Sequence, residues 1–192
     1  YWQHYLSRNE RRGVTPSMAK AIVRSRATVI AAIMVDRGEA DAMICGTVGR
    51  YHSKLKHVLS VIPLEAGVGS PAAMTAVAND KGVFFFVDTH VQADPTAEQL
   101  AEAALQASYR LKLFGIVPKV ALVSHSNFGS HENRAAQKMR EALAMIRAKA
   151  TGLEVEGEMH ADAALDEGIR ERIFPNSLLK GRANVFVLPN LD

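Results

Sequence analysis

The sequence predicts an α/β fold with a mostly parallel sheet, and three observations carry that reading. Lys119–Val123 is an apolar run, followed by the small-residue loop Ser124–Ser130 and then by Ala135, Met139, Leu143 and Ile146 at helical spacing. Gly82–Asp88 (GVFFFVD) is continuously apolar, the pattern of a strand buried on both faces in a parallel sheet. Strand-like runs then alternate with helical stretches of roughly 10 residues or more, which is the order of an α/β chain.

Taken in order, Tyr1–Arg12 reads as helix and Gly13 as its stop. Thr15 is a good N-cap and Pro16 suits a first helical turn, so a second helix starts there and carries Met18, Ala21, Ile22 and Val23. Thr28–Arg37 is a third, with Ile30, Ile33 and Met34 expected inward and Gly38 ending it. Asp41–Cys45 (DAMIC) reads as a short buried strand with Cys45 inert in the core, Gly46–His52 as a loop, and Ser53–Ile62 as a helix burying Leu55, Val58, Leu59 and Ile62. The connector Pro63–Pro71 holds Gly67 and Gly69 but lacks the third glycine and the preceding strand of a dinucleotide fingerprint. Met74–Ala78 is a further strand candidate. Thr96 and Gln99 form a capping box for a helix that runs to Phe114, with Leu100, Ala103, Ala107, Leu111 and Phe114 along one side. After the helix ending near Ile146, Leu153–Gly157 and Asn184–Leu188 are strands, and two short helical turns lie between them.

The 192 residues are 48% hydrophobic and 22% charged, enough apolar content for a full core in one domain or two small ones. A net charge of +3 does not argue for nucleic acid, a single cysteine excludes an internal disulfide, and no apolar run approaches the roughly 20 residues of a membrane span. Arg8, Arg11, Arg12, Lys20, Arg24 and Arg26 face only Glu10 as an opposing charge. They read first as a solvated helix face and second as an anion-facing flank.

Anion binding is the chemistry with most support. A loop after the carboxyl end of a strand, leading into a helix, offers free N–H groups and lies where α/β proteins hold ligands. Two such loops are expected: one with Gly46, Thr47, Gly49 and Arg50, the other with Ser124, Ser126, Gly129 and Ser130. An ordinary tight turn is the competing reading of each. Metal ligation is poorly supported, because His125 and His131 are six apart and His52 and His57 five apart, neither being the i, i+4 spacing of a helical zinc pair. His160 and Asp162 read equally well as a polar helix start. A nucleophile elbow of the Gly-x-Ser-x-Gly type is missing.

Five blocks in order resemble the phosphate acetyl/butyryltransferase superfamily: GEADAMICG (38–46), DPTAEQLAEAA (94–104), GIVPKVALVSHSNFGS (115–130), EGEMHADAAL (156–165) and KGRANVFVLPNLD (180–192). Lys56 and His57 stand where that family usually has Arg and Pro, and Asn127-Phe128 and Met159-His160 are further departures. These departures are similar to the C-terminal phosphotransacetylase-like domain of large bacterial NADP-dependent malic enzymes.

The resemblance implies a two-lobed, three-layer α/β/α fold of the isocitrate/isopropylmalate dehydrogenase-like type, with residues 1–72 in one α/β lobe and 73–192 in the other. It implies a piece of a longer chain, with a malic catalytic domain upstream that holds NADP and a divalent metal, and with a C-terminal segment still to come. Within these residues it implies no catalytic residue and no resident cofactor. It implies instead an acetyl-CoA-responsive, oligomerising regulatory domain, at least dimeric and cytoplasmic, whose effector contacts are Thr47, Arg50, Lys56, Ser124, Ser126, Asn127, Gly129 and Ser130. The two loops would face each other across a cleft. A working phosphate acetyltransferase and an interaction module without a small ligand are the alternatives.

Overall fold

The computed structural model describes residues 1–46 and 48–191, and the chain divides into two compact units, Tyr1–Gly67 and Val68–Asp192. The first unit is built from helices α1 (Trp2–Asn9), α2 (Pro16–Ser25), α3 (Ala27–Asp36) and α4 (Tyr51–Leu59), with a 3₁₀ turn over Glu10–Arg12. Thr15 accepts from the Met18 amide as the N-cap of α2, and Gly13 takes the left-handed conformation (φ 82°) that stops the preceding turn. Tyr5, Ala19, Val29, Ala32, Ile33 and Val61 form its core. The buried Asn9 side chain donates to the carbonyls of Tyr5 (2.9 Å) and Ser60 (2.8 Å), pinning α1 to the segment after α4. On the outside, Asp36 takes His4 at 2.6 Å and Arg8 at 2.9 Å. Burial alone would raise the Asp36 pKa, but these two partners outweigh it and hold the carboxyl below its ordinary value.

Several expectations for this unit are corrected. Asp41–Cys45 has no regular secondary structure rather than forming a buried strand, and Ile44 and Cys45 are exposed. A strand needs a neighbour for its backbone groups, and the first unit has no strand among its described residues. The buried side of α3 runs through Thr28, Val29, Ala32 and Ile33, leaving Ile30 and Met34 half-buried. No residue of α4 is fully buried; Leu55, Val58 and Leu59 are half-covered, and the deepest apolar side chain is Val61 just beyond it.

The second unit holds strands β1 (Met74–Asn79), β2 (Gly82–Val87), β3 (Lys119–Val123), β4 (Glu154–Met159) and β5 (Val185–Val187) in the order β1-β2-β5-β3-β4. β1 is antiparallel to β2, and every other pairing is parallel. Helices α5 (Ala97–Leu113) and α6 (Arg134–Lys149) are also here, with the short α7 (Ala161–Leu165) and α8 (Glu167–Ile173). The alternation of β3 sorts the layers: Val120 and Leu122 join the α5 and α6 residues Leu100, Ala104, Leu111, Met139 and Ile146, while Ala121 joins Met159, Ala163, Ala164, Leu179 and Phe186 on the other face. The unit is therefore a three-layer α/β/α sandwich. Thr96 and Gln99 complete both halves of the expected capping box on α5.

Two details depart from expectation. β2 buries Phe85 and Val87, but Phe84 and Phe86 are only half-covered, because α7 and α8 are five and seven residues long. A groove of about 540 Å³ remains there, lined in part by Val77, Phe84, Phe86, Leu165, Arg182 and Phe186. Phe114 is 75% exposed; it lies at the C-cap, past the last helical residue, where helical spacing no longer sets its direction.

Candidate functional site

The loop between β3 and α6 is held from within by one carboxylate. Glu158, on β4, is 1% exposed. Its Oε1 accepts from Ser126 Oγ (2.8 Å), from the Gly129 amide (2.8 Å) and from Arg140 Nη1 (3.1 Å). Arg140 is fixed in turn by Glu132 at 3.1 Å. The Glu158 carbonyl accepts from the Phe128 amide at 2.8 Å. Phe128 (φ 50°) and Gly129 (φ 86°) form a left-handed pair that turns both amides toward Glu158.

The remaining loop groups are likewise tied. Ser126 Oγ also accepts from the His131 amide at 3.1 Å, and Ser124 Oγ accepts from the Ser126 amide at 3.2 Å. Ser130 Oγ accepts from the Asn127 amide at 2.9 Å, and Asn127 Oδ1 accepts from the His160 amide at 2.6 Å. The expected residues Ser124, Ser126, Asn127, Gly129 and Ser130 thus stand in one loop, but Ser124 and Ser126 are buried and serve its architecture. Gly129 and Ser130 are at the exposed surface. The rings of His125 and His131 meet edge to face with centroids 5.2 Å apart, and His160 Nε2 lies 2.8 Å from the His125 carbonyl.

Glu158 and Arg140 are the residues that sequence reasoning missed. The available signal was the spacing of acids in Glu154-Val-Glu156-Gly-Glu158 along an inner strand. Buried carboxylates demand partners, and the long α6 supplies two: Arg140 for Glu158 and Arg147 for Glu156 (2.8 Å). Gly157 between them is obligatory. A Cβ there would lie 2.6 Å from Leu122 Cβ and 2.7 Å from the Leu122 carbonyl oxygen.

The other expected contacts belong to the first unit. Arg50 is the N-cap residue of α4 and Lys56 lies near its C-terminal end; both side chains are exposed. Thr47 lies outside the described residues. Cys45, Gly46 and Lys54 line two cavities of about 420 Å³ each. Burial, with the positive charges of Arg26, Lys54 and Lys56, pushes the His57 pKa below its ordinary value. Among the described residues no cluster of His, Cys, Asp and Glu would hold a metal ion, and no helix is long and apolar enough to cross a membrane.

A mostly parallel sheet between helix layers, with a Ser/Gly loop at a strand's carboxyl end, defines an α/β protein, and its fold matches that of phosphotransacetylase structures. The chain belongs to the phosphate acetyl/butaryl transferase family, whose model matches residues 1–192. Among its relatives, the NADP-dependent malic enzyme of Salmonella typhimurium is 50% identical over the whole chain, which spans 25% of that protein. The phosphate acetyltransferase of Paracoccus denitrificans is 38% identical, with 98% of this chain and 61% of that protein covered. The phosphotransacetylase structure from Streptococcus pyogenes superposes with a TM-score of 0.88 at 28% identity, covering 98% of this chain and 58% of that one. The chain thus spans about a quarter of the length of the malic enzymes it matches, in their C-terminal region.

Proposed function

We propose that this chain is an acetyl-CoA-responsive regulatory and oligomerising domain of a malic enzyme, whose parent decarboxylates malate oxidatively to pyruvate. The observation that carries the reading is the chain-long 50% identity to an NADP-dependent malic enzyme. Lys56 supports it. A lysine ammonium cannot make the bidentate contact with a phosphate or acyl-phosphate oxyanion that an arginine makes. The effector contacts are assigned to Arg50, Lys56, Asn127, Gly129 and Ser130, with Thr47 as a further candidate. Ser124 and Ser126 orient the second-unit loop through the bonds already described. Acetyl-CoA acts by population shift: it favours one arrangement of the protein, and the malic site responds through the same equilibrium.

Calorimetry of acetyl-CoA with the full chain tests this directly. Saturable binding, weakened about tenfold or more by the double change Arg50→Ala and Lys56→Ala, is expected, and no binding by the wild type sinks the reading. Phosphate acetyltransferase activity is the second reading, favoured by the 38% identity to the Paracoccus enzyme. Formation of acetyl phosphate from acetyl-CoA and phosphate would establish it.

A further inference from the structure

The cap of α6 fixes where a neighbouring histidine carries its proton. Asn133 Oδ1 accepts from the Ala136 amide at 2.8 Å, which leaves its Nδ2 to act as a donor elsewhere. That Nδ2 lies 2.5 Å from His125 Nε2, and an amide NH₂ group cannot accept. His125 Nε2 is therefore a bare acceptor, and the neutral ring holds its proton on Nδ1. His160 has the opposite tautomer. Its Nε2 faces the His125 carbonyl at 2.8 Å, a group that only accepts, so this nitrogen is protonated in either charge state. Of the two rings, only His125 loses a partner on becoming cationic, because an N–H at Nε2 would oppose the Asn133 donor. Turning the Asn133 amide over would restore that contact at the expense of the Ala136 cap.

The groups around His125 come from three elements. On its own loop, the His131 ring stands 5.2 Å away between centroids, so two protonated rings would repel. At the start of α6, Asn133 is neutral, Glu132 is held by Arg140 (3.1 Å) and Arg134 by Asp94 (3.7 Å). Beyond β4 stand His160 and then Asp162, whose carboxylate accepts from the Ala163 amide at 2.7 Å. Among the described residues no carboxylate pairs with the His125 ring to hold an imidazolium in place. Histidine changes charge between about pH 8 and about pH 5. We propose that the His125–Asn133 contact is a proton-operated latch: neutral His125 ties the outer side of the Ser124–Ser130 loop to the N-cap of α6, and protonation releases it. Glu158 keeps its hold on Ser126 and Gly129, so the release is confined to the outer side of the loop. The loop carries Gly129 and Ser130, so acid weakens the binding of an effector held there. That last step rests on the regulatory reading; the latch does not.

The test is NMR on the full ¹⁵N-labelled chain, first without ligand. At about pH 8 the ring nitrogens of His125 should report the Nδ1–H tautomer and those of His160 the Nε2–H tautomer; the Nε2–H form at His125 overturns the latch. As His125 titrates, the hydrogen-exchange protection of the Ala136 amide should fall about fivefold. In His125→Ala it should stay at the lower level throughout. Asn133→Asp gives the sharpest contrast. Aspartate caps a helix as well as asparagine does, but it accepts where the amide donated, so protection should hold or rise as His125 gains its proton. Constant protection in the wild type, or an equal fall in Asn133→Asp, overturns the proposal. Calorimetry with acetyl-CoA then separates the latch from the regulatory reading. Affinity that falls about fivefold with acid in the wild type and not in Asn133→Asp supports both. Affinity unchanged by acid while Ala136 responds overturns the link to the effector. If the tautomers and the exchange are as expected and acetyl-CoA binds nowhere, the latch stands and the regulatory reading falls. If acetyl-CoA binds while His125 shows the other tautomer, the latch falls and the regulatory reading stands.

Discussion

The Ser124–Ser130 loop and the start of α3 both present hydrogen-bond donors, and they differ in what those donors meet. In the loop, Ser126 and Gly129 both spend their hydrogen on Glu158, so the protein has supplied its own anion. At α3, Ala27, Thr28 and Lys54 line a cavity with no acid among the described residues of its wall. A glycine- and hydroxyl-rich turn is therefore not in itself a vacant anion site. The deciding question is whether a carboxylate from a neighbouring strand reaches the donors first.

The contrast is broken most severely at Gly157, which lets β4 come close enough for Glu158 to reach the loop. Gly157→Ala drives a methyl into Leu122 at a φ of 154°. A loss of about 3 kcal/mol is expected in urea unfolding, from overpacking and backbone strain together. A loss below about 1 kcal/mol would mean that the two strands are not held at this spacing.

Glu158→Ala acts on the loop alone. It strands the buried Ser126 hydroxyl and frees Arg140, whose side chain is 32% exposed and regains water. The cost is accordingly about 2 kcal/mol, less than for a fully buried pair. Hydrogen exchange should accelerate at Phe128 and Gly129 and stay unchanged at Val29 and Ile30. Glu158→Gln keeps an acceptor for Ser126 and Gly129 and should recover about half of the loss. Equal loss from both variants would assign the effect to the charge rather than to the hydrogen bonds.

The smallest effect belongs to the first unit. Lys54→Met removes an unpaired cation and should change stability by no more than about 0.5 kcal/mol. It should raise the His57 pKa toward its ordinary value, seen by NMR titration, because Lys54 is one of the charges holding it down. The linkage has a fixed sign. With the folded pKa below the unfolded one, the unfolded chain binds the extra proton. The His57 contribution is thus fully present above the ordinary histidine pKa and is lost as pH falls from there toward the depressed value. In Lys54→Met that loss should span a narrower window.

Much of the second unit was legible in the sequence, because its signals are local. The capping box at Thr96 and Gln99, the apolar run of β3 and the periodicity of α6 each specify their own element without help from distant residues. The first unit was less legible. Asp41–Cys45 has the composition of a strand, yet strand formation depends on a neighbour that no local pattern reports. Phe84 and Phe86 posed a similar problem, since their burial depends on how far α7 and α8 extend. At the site, the loop residues were found from their types. Their status as donors already in use was not, because that depends on Glu158, which lies 32 residues from Ser126 in the chain.

β4 also closes one edge of the sheet, and its acids have a consequence for how the protein behaves at high concentration. Glu154 and Glu156 accept from the backbone amides of Lys180 (3.2 Å) and Leu178 (2.9 Å), so a loop is laced to the strand by its carboxylates. A foreign strand adding at this border would have to displace that loop and leave inward-facing charges without partners. The opposite border, β1, carries Met74 and Val77 partly in solvent and has no comparable acid row. Self-association by strand addition should therefore begin at β1, and a lysine in place of Val77 is the substitution that would guard it.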